Sequence, residues 1–430
     1  MAVSKCKVSE NSPCAAIVVE DGAKLYLLDK ADRKQGDAIE VKVGDFFFVT
    51  DTEGEWAKVG LLDGRHGKVG LKFLEMSFAV LNVEVKVPKA SLYTKPEKNS
   101  EVLSDFPQGK VLPVEELYHS TSAPNSGYWF HFSGLVEGWF NMEQVNVIYA
   151  GAILNAAEKR RYNPVTRDKA RRFYNILLER YRDQDFYFPR MFSGGDMHGG
   201  ASALMGIAGT YVLEGKYHEA ITVLESVMEK FHDAPGDGGE AGPGSYDWIA
   251  RIYRDNLADK RKAEQIYRSM INKYAAYTIS GDKYHSSFDL HAQREIFDMY
   301  ASDTDKVIAE AKKFLTGTYS LHLKYAAYAK LLMIYVARDD KSSVELIIAK
   351  MIKNIQFCHS GFFATEEPLG RTIGALEFAG NYFYKRGEKD RAIKILTEYL
   401  SEADDKRIKQ MLKNEISRLM GNRYPWTLPR

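Results

Sequence analysis

A thirteen-residue pattern occurs twice in this chain and constrains its architecture more than any other feature. KARRFYNILLERY begins at Lys169 and KAEQIYRSMINKY begins at Lys262, and the two share a lysine, an alanine, two tyrosines and several apolar positions. Counted from the alanine, apolar residues follow at +4, +7 and +8, which is one face of an α-helix. The same helical face is therefore written more than once, as in a repeat protein.

The face recurs in EAITVLESVMEKF, from Glu219, and in RAIKILTEYL, from Arg391. Each of these helices follows another helical segment that ends at a glycine, Gly215 or Gly387, which suits a left-handed C-cap and a tight reversal. Such a hairpin cannot bury both apolar faces alone and must stack on copies of itself. We predict about six irregular hairpins and a capping helix near 406–420. The second helices of these hairpins begin their apolar faces at Ala170, Ala220, Ala263, Ala309, Val344 and Ala392.

These hairpins resemble the tetratricopeptide-repeat family, most specifically over residues 204–224 and 376–396. The resemblance implies an all-α superhelical domain that binds a protein or peptide on the concave side, which the first helices line. In relatives that grip a peptide carboxylate, a lysine stands where this chain has Glu377, so an apolar or mixed peptide surface is expected instead. The family's inward positions in the last unit make four residues partner-binding candidates: Glu377, Asn381, Tyr384 and Lys385.

Before residue 149 the sequence changes to short β-branched and aromatic runs broken by Gly, Pro, Asn and Asp, which is typical of small antiparallel strands. Two copies can be matched, one around Trp56 and one around Trp129 and Trp139. The run SLYTKPEKNSEVLSDFPQGK, followed by GYWFHF and GWF, resembles bacterial SH3-like domains. The resemblance implies two small barrels that act as accessory recognition modules, with Trp129 and Trp139 as candidate contacts.

The predicted fold class is therefore multidomain: two small all-β SH3-like barrels followed by an all-α, tetratricopeptide-like superhelical repeat domain. The predicted boundaries are residues 1–77, 78–148 and 149–430. Because each hairpin buries its apolar face mainly on its neighbours in sequence, we expect residues 149–430 to fold without the barrels.

Cysteine usage bears on the compartment. Three cysteines are too few for a disulfide scaffold or a zinc ribbon, but Cys6 and Cys14 are close enough to form a disulfide across a turn. Strand-like sequence starts soon after the first residues, as expected if an export signal has been replaced by Met-Ala. Families with SH3-like domains of this kind sit in exported cell-envelope proteins. This favours a periplasmic or envelope location, with the cytoplasm as the alternative.

No motif predicts a cofactor, a metal site or a catalytic centre. SGGDMHGG lacks the lysine of a phosphate-binding loop, and GDGGEA lacks the strand that precedes a dinucleotide fingerprint. HEAIT, from His218, has Thr222 where a zinc helix has its second ligand. Both glycine-rich segments are predicted to be flexible loops between helices.

Charge and hydropathy limit the classes of partner that this chain can be expected to bind. The net charge of +1 argues against a nucleic-acid partner. Residues 1–148 hold 16 Lys/Arg and 21 Asp/Glu, so this region is acidic on its own. No apolar run reaches the eighteen residues that span a bilayer. The predicted function is a non-enzymatic adaptor that binds another protein or peptide. The alternatives are a cell-wall module whose barrels bind peptidoglycan or a peptide, and a hydrolase in the glycine-rich loops.

Overall fold

The computed structural model describes residue 8 and residues 12–29, 33–76, 81–120, 127–134, 136–188, 195–236, 239–274, 288–353, 380–402 and 406–421. The strands in these ranges are β1 Cys14–Val18, β2 Lys24–Leu27, β3 Ile39–Glu40, β4 Phe46–Glu53, β5 Trp56–Gly60, β6 His66–Gly70, β7 Leu74–Met76, β8 Leu81–Val85, β9 Lys89–Tyr93, β10 Val102–Pro107, β11 Val111–Val114, β12 Glu116–Ser120, β13 Gly127–Ser133, β14 Glu137–Asn141, β15 Val145–Ile148, β16 Asp185–Phe188, β17 Gly195–His198, β18 Pro235–Gly236 and β19 Gly239–Glu240.

The helices in the same ranges follow one another in pairs. They are α1 Ala150–Arg161, α2 Arg167–Arg180, α3 Gly199–Leu213, α4 Tyr217–Lys230, α5 Ala241–Arg251, α6 Lys260–Tyr274, α7 Phe288–Met299, α8 Thr304–Thr316, α9 Leu321–Ala337, α10 Lys341–Lys353, α11 Lys389–Glu402 and α12 Lys406–Leu419. Helix α5 continues into a π-helical turn, Ile252–Asn256. Residues 380–385 are also helical and precede α11. None of the helices in the described ranges is long and apolar enough to cross a membrane.

The chain divides into two compact units, residues 1–248 and residues 249–430. The first unit contains every β-strand of the described ranges, the first two helical hairpins and the part of α5 up to Trp248. The second contains the later hairpins and α12. A β-rich N-terminal region followed by a helical region confirms the coarse fold class.

The first β region is a seven-stranded sheet in the order β3-β2-β6-β5-β4-β1-β7. Strand β1 reads CAAIV without polar alternation, and all five residues are buried, because both of its faces are covered. Cys14, Ala16 and Val18 point into the core of this sheet. Ala15 and Ile17 point into a second core.

The second β region consists of a five-stranded sheet, β10-β9-β14-β13-β12, and a three-stranded sheet, β11-β8-β15. Among the described strands the sheets are open, and no closed barrel is formed. The prediction of two SH3-like barrels is therefore not confirmed, although the all-β character of the region is.

The second core joins both β regions to the first helices. Helix α1 has a buried face of small and aliphatic residues, and α2 buries Phe173 and Tyr174. Side chains from four parts of the unit meet in this core: Ile17 and Phe48, Val83 and Phe130, Ile153 and Phe173, and Ile207. A single hydrophobic core thus crosses the predicted boundary at residue 149.

Ion pairs reinforce the same junction. Helix α2 pairs Lys169 with Glu20 at 2.7 Å and Arg180 with Asp45 at 3.0 Å. Helix α1 pairs Lys159 with Glu75 at 2.7 Å. Basic side chains of α1 and α2 therefore partly neutralise the acidic β regions inside the first unit.

The apolar faces predicted for the second helices are buried, with one difference in register. Ala170, Ala220, Ala263, Val344 and Ala392 are each 0% exposed. In α8 the predicted Ala309 is exposed, and the buried positions are Val307, Ala311 and Phe314. Val307 is the residue that keeps the spacing of +4 and +7, so the face of α8 begins there and not at Ala309.

The described parts of both glycine-rich segments include short strands. Residues 195–198 form β17, which pairs with β16 as an antiparallel hairpin, and β18 pairs with β19 in the next segment. Gly199 and Gly200 begin α3 against the end of α2, where their N–H groups donate to the carbonyls of Gln184 and Arg182. A Cβ on Gly200 would lie 2.6 Å from the Arg182 carbonyl oxygen, so glycine is needed for this close approach.

Candidate functional site

The first helices of three successive hairpins form one continuous surface in the first unit. Gly209 of α3 lies between Arg161 of α1 and Trp248 of α5. A Cβ built on Gly209 would be 3.2 Å from the Trp248 ring and 3.8 Å from the Arg161 guanidinium. The missing side chain therefore lets the half-buried indole lie against the backbone of α3, with a cation at its side.

A second glycine extends this surface. A Cβ on the exposed Gly244 of α5 would be 3.7 Å from the end of the Met205 side chain on α3. Leu213, at the end of α3, is 42% exposed. We call the set Arg161, Met205, Gly209, Gly244 and Trp248 the first-helix surface. It is apolar in its middle and has the Arg161 guanidinium at one side.

Arg161 is held in place by its neighbours. Its Nη1 donates to Glu158 at 3.1 Å, its Nη2 bonds the Tyr162 hydroxyl, and its guanidinium lies 4.6 Å from the centre of the Tyr162 ring. Tyr174 donates to the same Glu158 carboxylate at 2.6 Å. Burial raises the pKa of Tyr174 and the Glu158 charge raises it further, so the phenol stays a donor at neutral pH. Tyr162 itself is 63% exposed and available for contact.

A cleft of about 290 Å³ opens between α2 and α4, with Leu204 of α3 also in its lining. Leu178, Leu204 and Phe231 form its apolar part. Its polar lining comes from Asn175, Glu179, Arg182, Ser226 and Lys230. Arg182 and Lys230 have no ion-pair partner among the described residues. This cleft is therefore the second candidate binding site, after the first-helix surface.

The predicted contacts in the last hairpin lie in the second unit. Glu377 falls outside the described residues. Asn381 is half-buried, and its carbonyl oxygen accepts from Arg418 of α12 at 2.7 Å, so its amide is partly used within the chain. Tyr384 is 42% exposed and Lys385 is also exposed, with no polar partner for either in the described part of the chain. Tyr384 and Lys385 stay predicted contacts.

The two predicted tryptophan contacts differ in exposure. Trp129 is 0% exposed and packs edge to face on Tyr93, with ring centres 5.8 Å apart. This burial corrects its interpretation as a contact residue and makes it a core residue. Trp139 is half-buried between Tyr118, at 6.1 Å, and His131, at 4.7 Å. Part of its ring remains accessible, so it stays a predicted contact.

Sequence reasoning missed Trp248 and Trp56 as surface residues. Trp248 is not among the predicted contacts, and the sequence signal for its packing against α3 is the glycine at position 209. Trp56 was used to align the two β copies, yet it is 40% exposed. Within the described residues, no cluster of three or more His, Cys, Asp or Glu side chains is placed to hold a metal ion.

Cys14 is disulfide-bonded. It is fully buried on β1. Its predicted partner, Cys6, lies outside the described residues, so the pairing of Cys6 with Cys14 stays a prediction.

No family model and no curated protein matches the chain. Among solved structures, it is similar to the NlpC2 protein of Trichomonas vaginalis, with 10% identity and a TM-score of 0.20. That match covers 35% of this chain and 57% of the NlpC2 chain, which is less than two thirds of its length.

Two further solved structures are tetratricopeptide-repeat proteins. The one from Parabacteroides merdae is 12% identical with a TM-score of 0.24, and the match covers 63% of this chain and 99% of the other. The one from Bacteroides fragilis is 11% identical with a TM-score of 0.26, and the match covers 62% and 98%. At these scores the helical-hairpin description rests on the helices of this chain and not on the matches.

Proposed function

We propose that this protein is a non-enzymatic adaptor that binds a segment of another protein on its first-helix surface. The observation that carries the proposal is the placement of Trp248 against Gly209 beside Arg161, which joins α1, α3 and α5 into one surface. Tryptophan and arginine are the residues in which binding energy at interfaces is most often concentrated.

The surface has the composition expected of a peptide site. Met205 and Leu213 provide apolar area, and Arg161 provides a cation whose position is fixed by Glu158. The β regions act as accessory recognition modules of the SH3-like kind, and the helical hairpins act as the main binding domain. Partner binding on the last hairpin, through Tyr384 and Lys385, is part of the same proposal.

The test begins with a pull-down from a cell-envelope extract of the source organism, followed by binding measurements with the purified partner. Trp248→Ala is expected to weaken binding by about 2 kcal/mol or more, and Arg161→Ala by about 1 kcal/mol or more. Arg182→Ala is the matched control, because it removes an exposed arginine from the cleft between α2 and α4. It should leave the affinity unchanged.

The outcomes separate the candidate sites. Loss of binding in Arg182→Ala and Lys230→Ala, with Trp248→Ala unaffected, would place the partner in the cleft and overturn the proposal. Tyr384→Ala with Lys385→Ala tests the last hairpin in the same assay. As surface changes, these two should alter stability by less than about 1 kcal/mol.

We also propose an oxidising compartment, the periplasm or the cell envelope, which the disulfide at Cys14 supports. The cytoplasm is the alternative. Retention of the full-length protein on purified peptidoglycan, without any protein partner, would favour a cell-wall module over an adaptor.

A further inference from the structure

The two β regions each carry a cross-strand row of three residues, and the two rows occupy equivalent positions. In the first region, Tyr26 of β2 pairs with Lys68 of β6, and Lys68 pairs with Lys58 of β5. In the second region, the register of β9, β14 and β13 gives the corresponding row: Tyr93, Trp139 and His131. Strand pairing thus makes Lys68 the counterpart of Trp139 and Lys58 the counterpart of His131.

The tryptophan two positions before this row is equivalent in both regions. Trp56 packs edge to face on Tyr26, with ring centres 5.5 Å apart and planes at 78°. Trp129 packs on Tyr93 at 5.8 Å and 80°. The same aromatic pair is therefore built twice with nearly the same geometry.

The two pairs differ in what covers them. Trp129 is 0% exposed, and its cross-strand partner on β12 is Tyr118, which packs on Trp139. Trp56 is 40% exposed, and its cross-strand partner on β4 is Glu53. Where the second region has Tyr118 and Trp139 on strands β12 and β14 beside its tryptophan, the first region has Glu53 and Lys68 at the equivalent positions.

The charges around the open pair are unequal. Lys58 and Lys68 share the Glu53 carboxylate, at 3.3 Å and 2.7 Å. A third ammonium, that of Lys34, lies 4.2 Å from the centre of the Tyr26 ring. Asp51, the cross-strand partner of Lys58, supplies the second carboxylate of this face. The five charged groups named here, all on described residues, are three ammonium groups and two carboxylates and sum to a charge of +1.

We propose that Trp56 and Tyr26 form a docking site for a partner peptide that presents one aromatic side chain next to one carboxylate. The aromatic side chain takes the position that Tyr118, the cross-strand partner of Trp129, holds in the second region, and the carboxylate pairs with the lysines of this face. The site deepens the proposed adaptor function, because it gives the accessory β region its own ligand chemistry, and it is independent of the first-helix surface.

The experiment uses full-length protein labelled with 5-fluorotryptophan at its five tryptophans and read by ¹⁹F resonances. The Trp56 resonance is assigned by its absence in Trp56→Phe. The probe is the peptide acetyl-Gly-Tyr-Asp-Gly-amide, which is expected to shift the Trp56 resonance in a dose-dependent and salt-sensitive way. Replacing aspartate by lysine in the peptide should weaken the response by about fivefold, and replacing tyrosine by alanine should abolish it.

Lys68→Trp is the decisive variant, because it places beside Trp56 the same residue type that the second region has at the equivalent position, 139. It should remove the peptide response while the other resonances stay in place. Lys72→Trp is the matched control, since it adds an indole at an exposed position outside the row and should leave the response intact.

Equal shifts with all three peptides, no shift at all, or an undiminished response in Lys68→Trp would overturn the inference. So would a stronger response to a soluble muropeptide or to single-stranded DNA, each of which would assign the face to another class of ligand. Because the response is read at Trp56 itself, its failure would leave the Trp248 proposal standing, and the reverse also holds.

Discussion

The side-chain amide of Asn82 makes two hydrogen bonds to the backbone of Tyr187. Its Nδ2 donates to the Tyr187 carbonyl, and its Oδ1 accepts from the Tyr187 N–H, each at 2.9 Å. Asn82 lies on β8 and is 0% exposed, whereas Tyr187 lies on the hairpin between α2 and α3. One buried amide thus attaches an inter-helix hairpin to the second β region.

Removing that amide should cost stability. Asn82→Ala leaves a donor and an acceptor of Tyr187 unpaired, and we expect a loss of about 2–3 kcal/mol in the free energy of unfolding. Asn82→Asp should also be destabilising, because a carboxylate cannot donate to the Tyr187 carbonyl. Urea denaturation measures the change, and the exposed Asn146→Ala on the neighbouring β15 is the control. A loss below about 0.5 kcal/mol for Asn82→Ala would contradict this assignment.

Acid should weaken the junction between β7 and α1. Burial alone would raise the pKa of Glu75, but Lys159 and Arg160 outweigh it and hold the pKa below its ordinary value of 4.5. A lowered pKa in the folded state means that the stabilisation is fully present above pH 4.5 and is lost as the pH falls through the folded-state pKa. Glu75→Gln should therefore lower stability by about 1 kcal/mol at pH 7 and by progressively less below pH 4.5.

Thermal unfolding between pH 3 and pH 8 measures this difference. Glu101→Gln is the control, because Glu101 is exposed and has no ion pair in the described part of the chain. A Glu75→Gln effect that stays constant across the whole range would rule out the ion pairs as its cause.

Helical spacing could be predicted from the sequence because each second helix repeats one pattern of buried positions. The exception is α8. The predicted first residue of its apolar face is the small residue Ala309, whereas Val307 is the residue with apolar positions at +4 and +7. The buried face of α8 therefore begins at the position with the correct helical spacing and not at the smallest residue. Val307 is 2% exposed, whereas Ala309 is exposed.

The shared core could not be predicted, because an apolar pattern shows that a face is buried and not what covers it. Residues 149–430 were expected to fold alone. Ile153 of α1 and Phe173 of α2 instead meet Ile17 and Phe130 of the β regions in one core. We now expect a 149–430 fragment to expose these faces.

The candidate sites show the same limit at the level of single residues. The sequence aligns Trp56 with Trp129 but cannot tell which one is open. The answer depends on the cross-strand partner, Glu53 in one case and Tyr118 in the other, and a partner is fixed only by strand register. Trp248 was missed for a similar reason, since its neighbour Gly209 lies 39 positions away.

Thiol chemistry checks the redox prediction. Because Cys14 is disulfide-bonded, denatured and unreduced protein from its native compartment should show one free thiol among its three cysteines. Mass spectrometry of a non-reduced digest should find Cys14 joined to Cys6 and leave Cys358 free. Three free thiols would contradict the disulfide and favour the cytoplasm. A link from Cys14 to Cys358 would contradict the predicted pairing.

The contact between Gly60 and Tyr128 allows a test of how the two β regions pack. The Tyr128 ring stacks on Phe48 at 4.2 Å, and its hydroxyl is buried without a hydrogen-bond partner in the described residues. A Cβ built on Gly60 would overlap that hydroxyl oxygen. Gly60→Ala should therefore be destabilising by about 1–3 kcal/mol, since a packed interior cannot take the extra methyl group.

Tyr128→Phe removes the overlapping oxygen. Because that hydroxyl is buried and unpaired, Tyr128→Phe alone should be neutral or slightly stabilising. In the double variant the penalty of Gly60→Ala should fall, which gives a coupling energy of about 1 kcal/mol or more in a double-mutant cycle. Gly195→Ala, where a Cβ meets nothing within 4 Å, is the matched control. Additive effects of the two substitutions would show that these β regions do not pack through Gly60 and Tyr128.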